Sequence, residues 1–398
     1  MNHTGKPKKG QIALVSAGHL INDTYMGFIA VLLPFFVTRW EISLTEAGVL
    51  VTAFLSASYF GQPVFGWFSD RLGGRLLLAG GPLVSACFIG TLGVLPSYGW
   101  AVPWVIIAGV GAAAFHPPAA GVAHRAGGNR RALGMSIFLM AGFLGVALGP
   151  IEILAVVTRF GLKFSGLTVI PGVVASFLLF KYADLGAAPK TMENCPSQFS
   201  DLARARGTLS GLWAIVVLRN FTYAAFSSFL PLMLQQRGLS AWAGGTVLSA
   251  FLATGAVGGV LGGYLSDRFD RRAIIALTMV AATVLLGLFL GARGPSGMVF
   301  LIFGGFFLMM SGPINVVISQ EMFPEHAGLM ASLMMGFAYG VGSVGIVVVG
   351  AVADRLGIPA TLSGAVAVPL IAAWLGSRLP RDAARPKRSI SEAHPLSP

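Results

Sequence analysis

Gly66-Trp67-Phe68-Ser69-Asp70-Arg71, continued by Gly73, Gly74 and Arg75, is written again 197 residues later. The second copy reads Gly263-Tyr264-Leu265-Ser266-Asp267-Arg268, continued by Arg271 and Arg272. Each copy closes one long apolar stretch and opens the next. A repeat on that scale, in a chain this apolar, is the mark of two related bundles of membrane helices built by duplication.

The repeat extends in both directions. Leu33-Pro34 matches Leu230-Pro231 at the same offset of 197. Further on the offset becomes 196: Pro117 matches Pro313, Ser136 matches Ser332, Gly149 matches Gly345, and Arg159-Phe160-Gly161 matches Arg355-Leu356-Gly357. Matches near the first, second, fourth and fifth helices of each half indicate a parallel duplication, with one residue of drift in a loop.

Composition fits that reading. Hydrophobic residues make up 55% of the chain and charged residues 11%, with mean hydropathy +0.78. A soluble domain carries roughly 25% charge, so most of this exterior must face lipid. Segments of about 20 apolar residues span a bilayer, and twelve are predicted. The first half gives Ile12–Val37, Ala47–Phe68, Leu76–Leu95, Val102–Ala123, Leu133–Val157 and Phe164–Tyr182. The second half gives Leu212–Leu234, Ala243–Leu265, Ala273–Gly291, Met298–Gln320, Leu329–Ala353 and Ala360–Leu379. Inside lipid the backbone must bond to itself, so these are helices and the fold class is an all-α membrane protein.

The basic residues orient it. With twelve spans and the N-terminus inside, inner segments hold 20 of the 27 lysines and arginines and outer loops hold six, leaving Arg219 inside a span. That asymmetry places both termini in the cytoplasm. The net charge of +12 is thereby read as topology and attraction to an anionic inner leaflet, not nucleic-acid binding. Cys87 lies in the third span and Cys195 in the central loop, so a disulfide is not expected. The N-terminus is short and basic, and the first span is too long for the core of a cleaved signal peptide. The organisation is therefore an N-terminal bundle over 1–182, a polar cytoplasmic linker over 183–210, a C-terminal bundle over 211–379 and a tail over 380–398 whose composition is that of a disordered segment.

The duplicated halves and the Gly66-x-x-x-Asp70-Arg71-x-Gly73-x-Arg75 loop, with its degenerate copy, resemble the major facilitator superfamily over essentially the whole chain. Within it the likeness is to fosmidomycin-resistance-type, proton-coupled exporters. It is carried by His19-Leu20-Ile21-Asn22-Asp23 and Leu32-Leu33-Pro34 in helix one, Phe115-His116-Pro117 in helix four, and Gly145-x-x-x-Gly149-Pro150 in helix five. The helix-five pattern departs from the fuller antiporter motif at Ser136 and at Ile151-Glu152. The resemblance implies a twelve-helix antiporter in which Asp70, Arg71, Arg75, Asp267 and Arg268 gate the cytoplasmic side by charge pairing between bundles, and in which Gly145, Gly149 and Pro150 pack helix five. It also implies a protein able to work as a monomer.

The polar residues inside the spans carry the chemistry. His19 and Asp23 are four apart and share one helix face. A charged aspartate at mid-membrane costs about 2.5–3.5 kcal/mol on insertion scales, so it faces a cavity or a partner. Such a group suits proton coupling, and a packing hydrogen bond from His19 to a carbonyl is the competing structural role. Glu152, two residues after Pro150, is a second proton-carrier candidate unless it lies at the outer interface. Arg219 sits about ten residues into helix seven, too deep to snorkel, at the position that repeats Asn22. It is expected either to pair with Asp23 or to bind an anionic group of the substrate. Asn22, Asn220 and His116 join it as substrate-binding or charge-partner candidates, with a carbonyl cap as the alternative for His116. Phe35, Phe138, Phe226 and Phe337 are candidate cavity aromatics.

Other motifs are excluded. Gly340-x-Gly342-x-x-Gly345 has the letters of a dinucleotide fingerprint but no preceding strand, and close helix packing accounts for it. No nucleotide-binding Gly-Lys-Ser/Thr loop, no His-Glu-x-x-His and no Gly-x-Ser-x-Gly is present, so ATP drive, hydrolysis, cofactor and metal roles all lack a motif. The expectation is a secondary transporter, not an enzyme. It works by alternating access, with protons and a small-molecule substrate as partners, exporting a drug-like or antibiotic compound from the inner membrane. Proton-coupled uptake of a metabolite such as an organic acid, and a non-transporting receptor or lipid-binding protein, are the alternatives.

Overall fold

The computed structural model describes residues 6–72, 74–186, 206–292, 294–323 and 327–380. Among these there is helix and no strand. Twelve helices are long and apolar enough to cross a membrane. In the N-terminal half they are α1 (Lys9–Trp40), α2 (Leu44–Ser69), α3 (Arg75–Val94), α4 (Tyr98–Ala126), α5 (Leu133–Phe160) and α6 (Leu162–Tyr182). In the C-terminal half they are α7 (Arg206–Gln236), α8 (Ala241–Ser266), α9 (Arg271–Gly291), α10 (Pro295–Met322), α11 (Leu329–Leu356) and α12 (Ile358–Arg378). All twelve predicted spans are present, each longer than predicted at one end or both. The helices run past the apolar core into polar ends that hydropathy does not count. α7 begins at Arg206, inside the stretch read as linker. Residues 187–205 and the tail from 381, Cys195 among them, lie outside the described residues.

Large apolar side chains such as Ile170, Leu277 and Val348 project outward from the bundles, as a lipid-facing surface requires. The interior is apolar too, with Phe28, Phe36, Phe54, Phe226, Phe229 and Phe289 all buried. Hydrophobicity therefore does not sort inside from outside here. Backbone proximity does: where helices cross, glycine removes the side chain that would hold them apart. A Cβ at Gly27 would lie 2.5 Å from the Val146 carbonyl oxygen of α5, and one at Gly149 would lie 3.0 Å from Gly27 Cα. Gly145 approaches the Leu20 carbonyl in the same way. The helix-five residues Gly145, Gly149 and Pro150 thus lie against the middle of α1.

Three helices change their winding within the span. α1 passes through a 3-10 turn at Tyr25–Gly27, α10 breaks at Ser311 before Pro313, and α11 opens into a π turn at Ser332–Phe337. Proline and π turns free backbone groups and bend a span, and such irregularity within a membrane is tolerated where it borders a cavity or another helix.

The two bundles meet most closely at the face opposite the basic loops. There Asp354 of α11 accepts hydrogen bonds from the N–H groups of Leu44 (2.7 Å) and Thr45 (2.9 Å) and from the Thr45 hydroxyl (2.5 Å). A Cβ at Gly48 would lie 2.9 Å from the Ile346 carbonyl oxygen, and Gly350 approaches the Leu44 carbonyl. The other corner is filled by Leu154 of α5 against Gly245 of α8. At the basic face Lys8 pairs with Asp184 (2.8 Å), while Arg75 donates to the Phe180 (2.5 Å) and Ala183 (3.1 Å) carbonyls. Arg271 forks onto Glu321 at 2.7 and 3.0 Å. All of these basic-face bonds stay inside one bundle.

Candidate functional site

A cavity of about 200 Å³ lies between the bundles at mid-height. Its N-terminal wall carries His19, Asp23, Tyr59, Gln62, His116 and Gly142, and its C-terminal wall carries Asn220, Tyr223, Ser227, Met309, Tyr339 and Ser343.

On the first wall three titratable side chains converge. His19 Nε2 lies 3.1 Å from Asp23 Oδ2, one helical turn away on α1. His116 Nε2, from α4, lies 3.3 Å from Asp23 Oδ1. Asn22 donates to the same Oδ1 at 3.0 Å. Asp23 and His19 are only 7% and 4% exposed. The outer nitrogens of both imidazoles are occupied: His19 Nδ1 bonds the Phe138 carbonyl (2.8 Å) and His116 Nδ1 bonds the Ala112 carbonyl (2.6 Å). A carbonyl only accepts, so each Nδ1 carries a hydrogen and each Nε2 is turned toward Asp23. If an Nε2 bears a proton it donates to the carboxylate; if not, two lone pairs oppose each other. The number of protons held by the three groups therefore decides whether the cluster attracts or repels. The three ligand atoms lie within 4.8 Å of one another, a spacing that passes protons and that equally fits a small cation.

The walls around the cluster hold it in place. Phe138 stacks on His19 with centroids 4.1 Å apart. Gly142 leaves the space the cluster fills: a Cβ there would sit 2.5 Å from His19 Nε2 and 2.9 Å from Asp23 Oδ2. Both carbonyl caps anticipated for the histidines exist, and neither prevents the same ring from facing Asp23.

The second wall has no such cluster. Asn220, which repeats Asp23, donates to the Tyr339 carbonyl (2.9 Å). Arg219, 1% exposed, donates to the Tyr339 hydroxyl (3.0 Å) and contacts Met309 sulfur (3.6 Å). Its Nε has no partner. The pairing of Arg219 with Asp23, one of its two expected roles, is not formed: Asp23 faces the histidines instead, and among the described residues no carboxylate pairs with Arg219. Tyr339 meets Tyr59 of the first bundle edge-on at 5.6 Å. The buried cation thus lies directly behind a tyrosine that lines the cavity.

Other expected residues fall elsewhere. Glu152 is half-buried and is not among the cavity-lining residues. Arg71 stacks on Trp67 of its own helix (4.1 Å) and Arg268 on Tyr264 (4.5 Å); Asp267 is exposed at the end of α8. Arg75 bonds within its own bundle, and the side chain of Asp70 lies outside the described residues. Among the described residues Arg71, Arg75, Asp267 and Arg268 form no charge pair between bundles at the basic face, and a carboxylate that does bridge the bundles is Asp354 on the other face. Cavity aromatics are Phe54, Phe143 and the three tyrosines in place of Phe35, Phe138, Phe226 and Phe337. Sequence reasoning did not join His116 to Asp23, nor find Gly142, Tyr59 or Tyr339. These are contacts between helices, and only the Gly340-x-Gly342-x-x-Gly345 motif, which Tyr339 directly precedes, marked that region as closely packed.

Comparison with known proteins agrees with this architecture. The family model for the Major Facilitator Superfamily matches residues 15–346. The chain is 29% identical over 394 residues to the uncharacterized MFS-type transporter YfnC of Bacillus subtilis (strain 168), covering 93% of each chain. It is 27% identical over 370 residues to the fosmidomycin resistance protein of Escherichia coli (strain K12), covering 91% of each. In fold it is similar to a bacterial homolog of the human lysosomal transporter Spinster in an inward-facing, occupied conformation. That match has TM-score 0.77 and 14% identity, over 96% of this chain and 99% of the other.

Proposed function

The chain belongs to the major facilitator superfamily, and we propose that this member exports a small organic compound in exchange for protons, by alternating access. The observation that carries the reading is the His19–Asp23–His116 cluster at the cavity wall. Its contacts change sign with its proton count, which is the property a coupling site needs. Glu152, lying apart from the cavity, is a secondary proton carrier in this scheme.

Proton loading from one side draws the cluster together, and release on the other lets the substrate enter. Arg219, backed by Asn220 and Tyr339, supplies a positive potential on the opposite wall. An anionic head held there, with an apolar body against Met26, Phe54 and Phe143, is the favoured substrate chemistry. The likeness to a fosmidomycin resistance protein supports an antibiotic or similar drug as cargo. The arginine and lysine asymmetry supports an inner-membrane protein with its basic face and both termini on the cytoplasmic side. On that assignment the cavity lies beneath a seal on the outer side, and the protein works as a monomer.

The test is reconstitution in liposomes loaded with a pH dye, with a panel of anionic phosphonates, organic acids and hydrophobic drugs added in the absence of a gradient. A substrate-evoked proton flux in the wild type, lost in Asp23→Asn and in Arg219→Gln, is the expected result. Its sign separates antiport from uptake by symport. Wild-type flux that survives Asp23→Asn unchanged would remove the cluster from coupling, and a wild type silent across the panel while binding ligand would favour a receptor.

A further inference from the structure

The N-terminus of α2 is capped twice, and the two caps come from different bundles. Four N–H groups at a helix start lack partners within the helix. Two are met locally: Glu46 N–H donates to the Ser43 hydroxyl (3.1 Å) and Ser43 N–H to the Glu46 carboxylate (2.8 Å), a capping box. The other two, on Leu44 and Thr45, are met by Asp354 across the bundle boundary.

Nothing in α11 explains that aspartate. It stands in the last turn of its own helix, where the dipole disfavours an anion. At the start of α2 the same dipole favours it. The carboxylate therefore belongs electrostatically to the other bundle. The duplication provides an internal control. Asp354 repeats Thr158 of α5, and Leu44-Thr45 repeat Ala241-Trp242 of α8. At that second corner Thr158 turns its hydroxyl back to the Leu154 carbonyl (2.6 Å), and Ser240 caps Ala243 locally (3.2 Å). Gly48 and Gly245 are repeat partners, yet Gly48 lies against α11 backbone where Gly245 lies against the Leu154 side chain. Only the α2–α11 corner has both a glycine-permitted backbone approach and a bridging carboxylate.

We propose that Asp354 is a latch that holds the outer face closed, by capping α2 from the opposite bundle, and that it sets the resting balance between inward-open and outward-open states. The proposal rests on the alternating-access reading, because an outward-open state must part these helices. Opening breaks all three bonds at one residue, while the Ser43–Glu46 box keeps α2 wound. The freed N–H groups and carboxylate then go to water, so the latch is strong enough to bias the equilibrium and weak enough to release. Loss of a helix cap of this kind corresponds to about a five- to tenfold change in an equilibrium.

The test is the distance between spin labels on the outer face, at Lys163→Cys in the N-terminal bundle and Gln236→Cys in the C-terminal bundle, with Cys87 and Cys195 replaced by serine. Pulsed EPR on the full-length protein in nanodiscs is expected to show Asp354→Ala raising the long-distance population about five- to tenfold over the wild type. Thr45→Val, which removes one of the three bonds, is expected to raise it less. Thr158→Asp, which offers a carboxylate to the second corner, is expected to lower it. Identical distributions in wild type and Asp354→Ala, with both proteins equally monodisperse, would overturn the latch. If lowering the pH opens both proteins equally, the latch falls and alternating access stands. If no condition opens the outer face in any variant, both fall together.

Discussion

Gly142 is where a single atom decides the cluster. Alanine there would place a methyl carbon 2.5 Å from His19 Nε2, so the ring or the α5 backbone must move. Overpacking of this kind typically costs about 1–3 kcal/mol, and the displaced ring loses its aim at Asp23. Gly142→Ala is expected to cut substrate-evoked proton flux at least tenfold in liposomes, while Gly166→Ala, which meets nothing within 4 Å, leaves it unchanged. Equal flux in the two variants would mean that the spacing of His19 and Asp23 is unimportant. Asp184 is held below the usual carboxylate range by the hydrogen bond from Lys8, by Gly186 N–H and by the Lys8 charge. A depressed folded value contributes stability above the ordinary aspartate range, near 3.9, and loses it only as pH falls through the lower folded value. Between pH 5 and 8 this tether is therefore constant, and a flux that titrates there does not arise from it. At the basic face, Glu321→Gln would leave the buried Arg271 fork half-paired. A loss of about 1.5–3 kcal/mol is expected, read as a lower midpoint of thermal unfolding, and an unchanged midpoint would show the pair to be dispensable. His19 with Asp23 was legible because four residues bring two side chains to one helix face. His116 was not, since its approach to Asp23 depends on how α4 packs on α1.

Among the elements, the twelve spans were legible because lipid imposes a length and an apolar composition on each. Their ends were not, since polar residues continue a helix beyond the apolar core at no visible cost. The irregularities in winding were legible only in part. Pro313 announces the break in α10, whereas the 3-10 turn at Tyr25–Gly27 and the π turn at Ser332–Phe337 carry no proline. The turn in α1 lies where Gly27 meets α5, and its geometry follows from that approach. Gly27→Val is therefore expected to push α1 off α5 at Val146 and Pro150. It should lower the thermal midpoint by an amount corresponding to about 1–3 kcal/mol, and Gly99→Val, which stands in open space, should not. A Gly27→Val protein as stable as the wild type would mean that the α1–α5 contact yields freely. The inner loops give the opposite lesson. The Asp70–Arg71 and Asp267–Arg268 motifs identify the family, yet Arg71 and Arg268 rest on aromatic rings of their own helices. A motif fixes which residues stand at a helix end, while the conformational state decides what they touch.

On the proposed alternating-access scheme, the two bundles must trade one seal for another, and the contact between α2 and α11 is part of the outer seal. If transport needs that seal to open, fastening it must stop transport without disturbing the site. The side chains of Thr45 and Asp354 already touch, so Thr45→Cys with Asp354→Cys, in a background lacking Cys87 and Cys195, is placed to form a disulfide across the bundles. Transport is expected to vanish on oxidation and return on reduction, while ligand binding from the basic side is retained in both forms. The reduced double variant lacks the carboxylate, so it also separates fastening from mere loss of Asp354. Full transport with the disulfide formed quantitatively would mean that the substrate crosses without parting these helices. The duplicated sequence would then describe ancestry and not the working motion. Retained binding with lost transport would instead place the His19–Asp23–His116 cluster and Arg219 within one cavity whose exit is controlled at a distance, at a corner that the repeat made symmetric and a single aspartate made unequal.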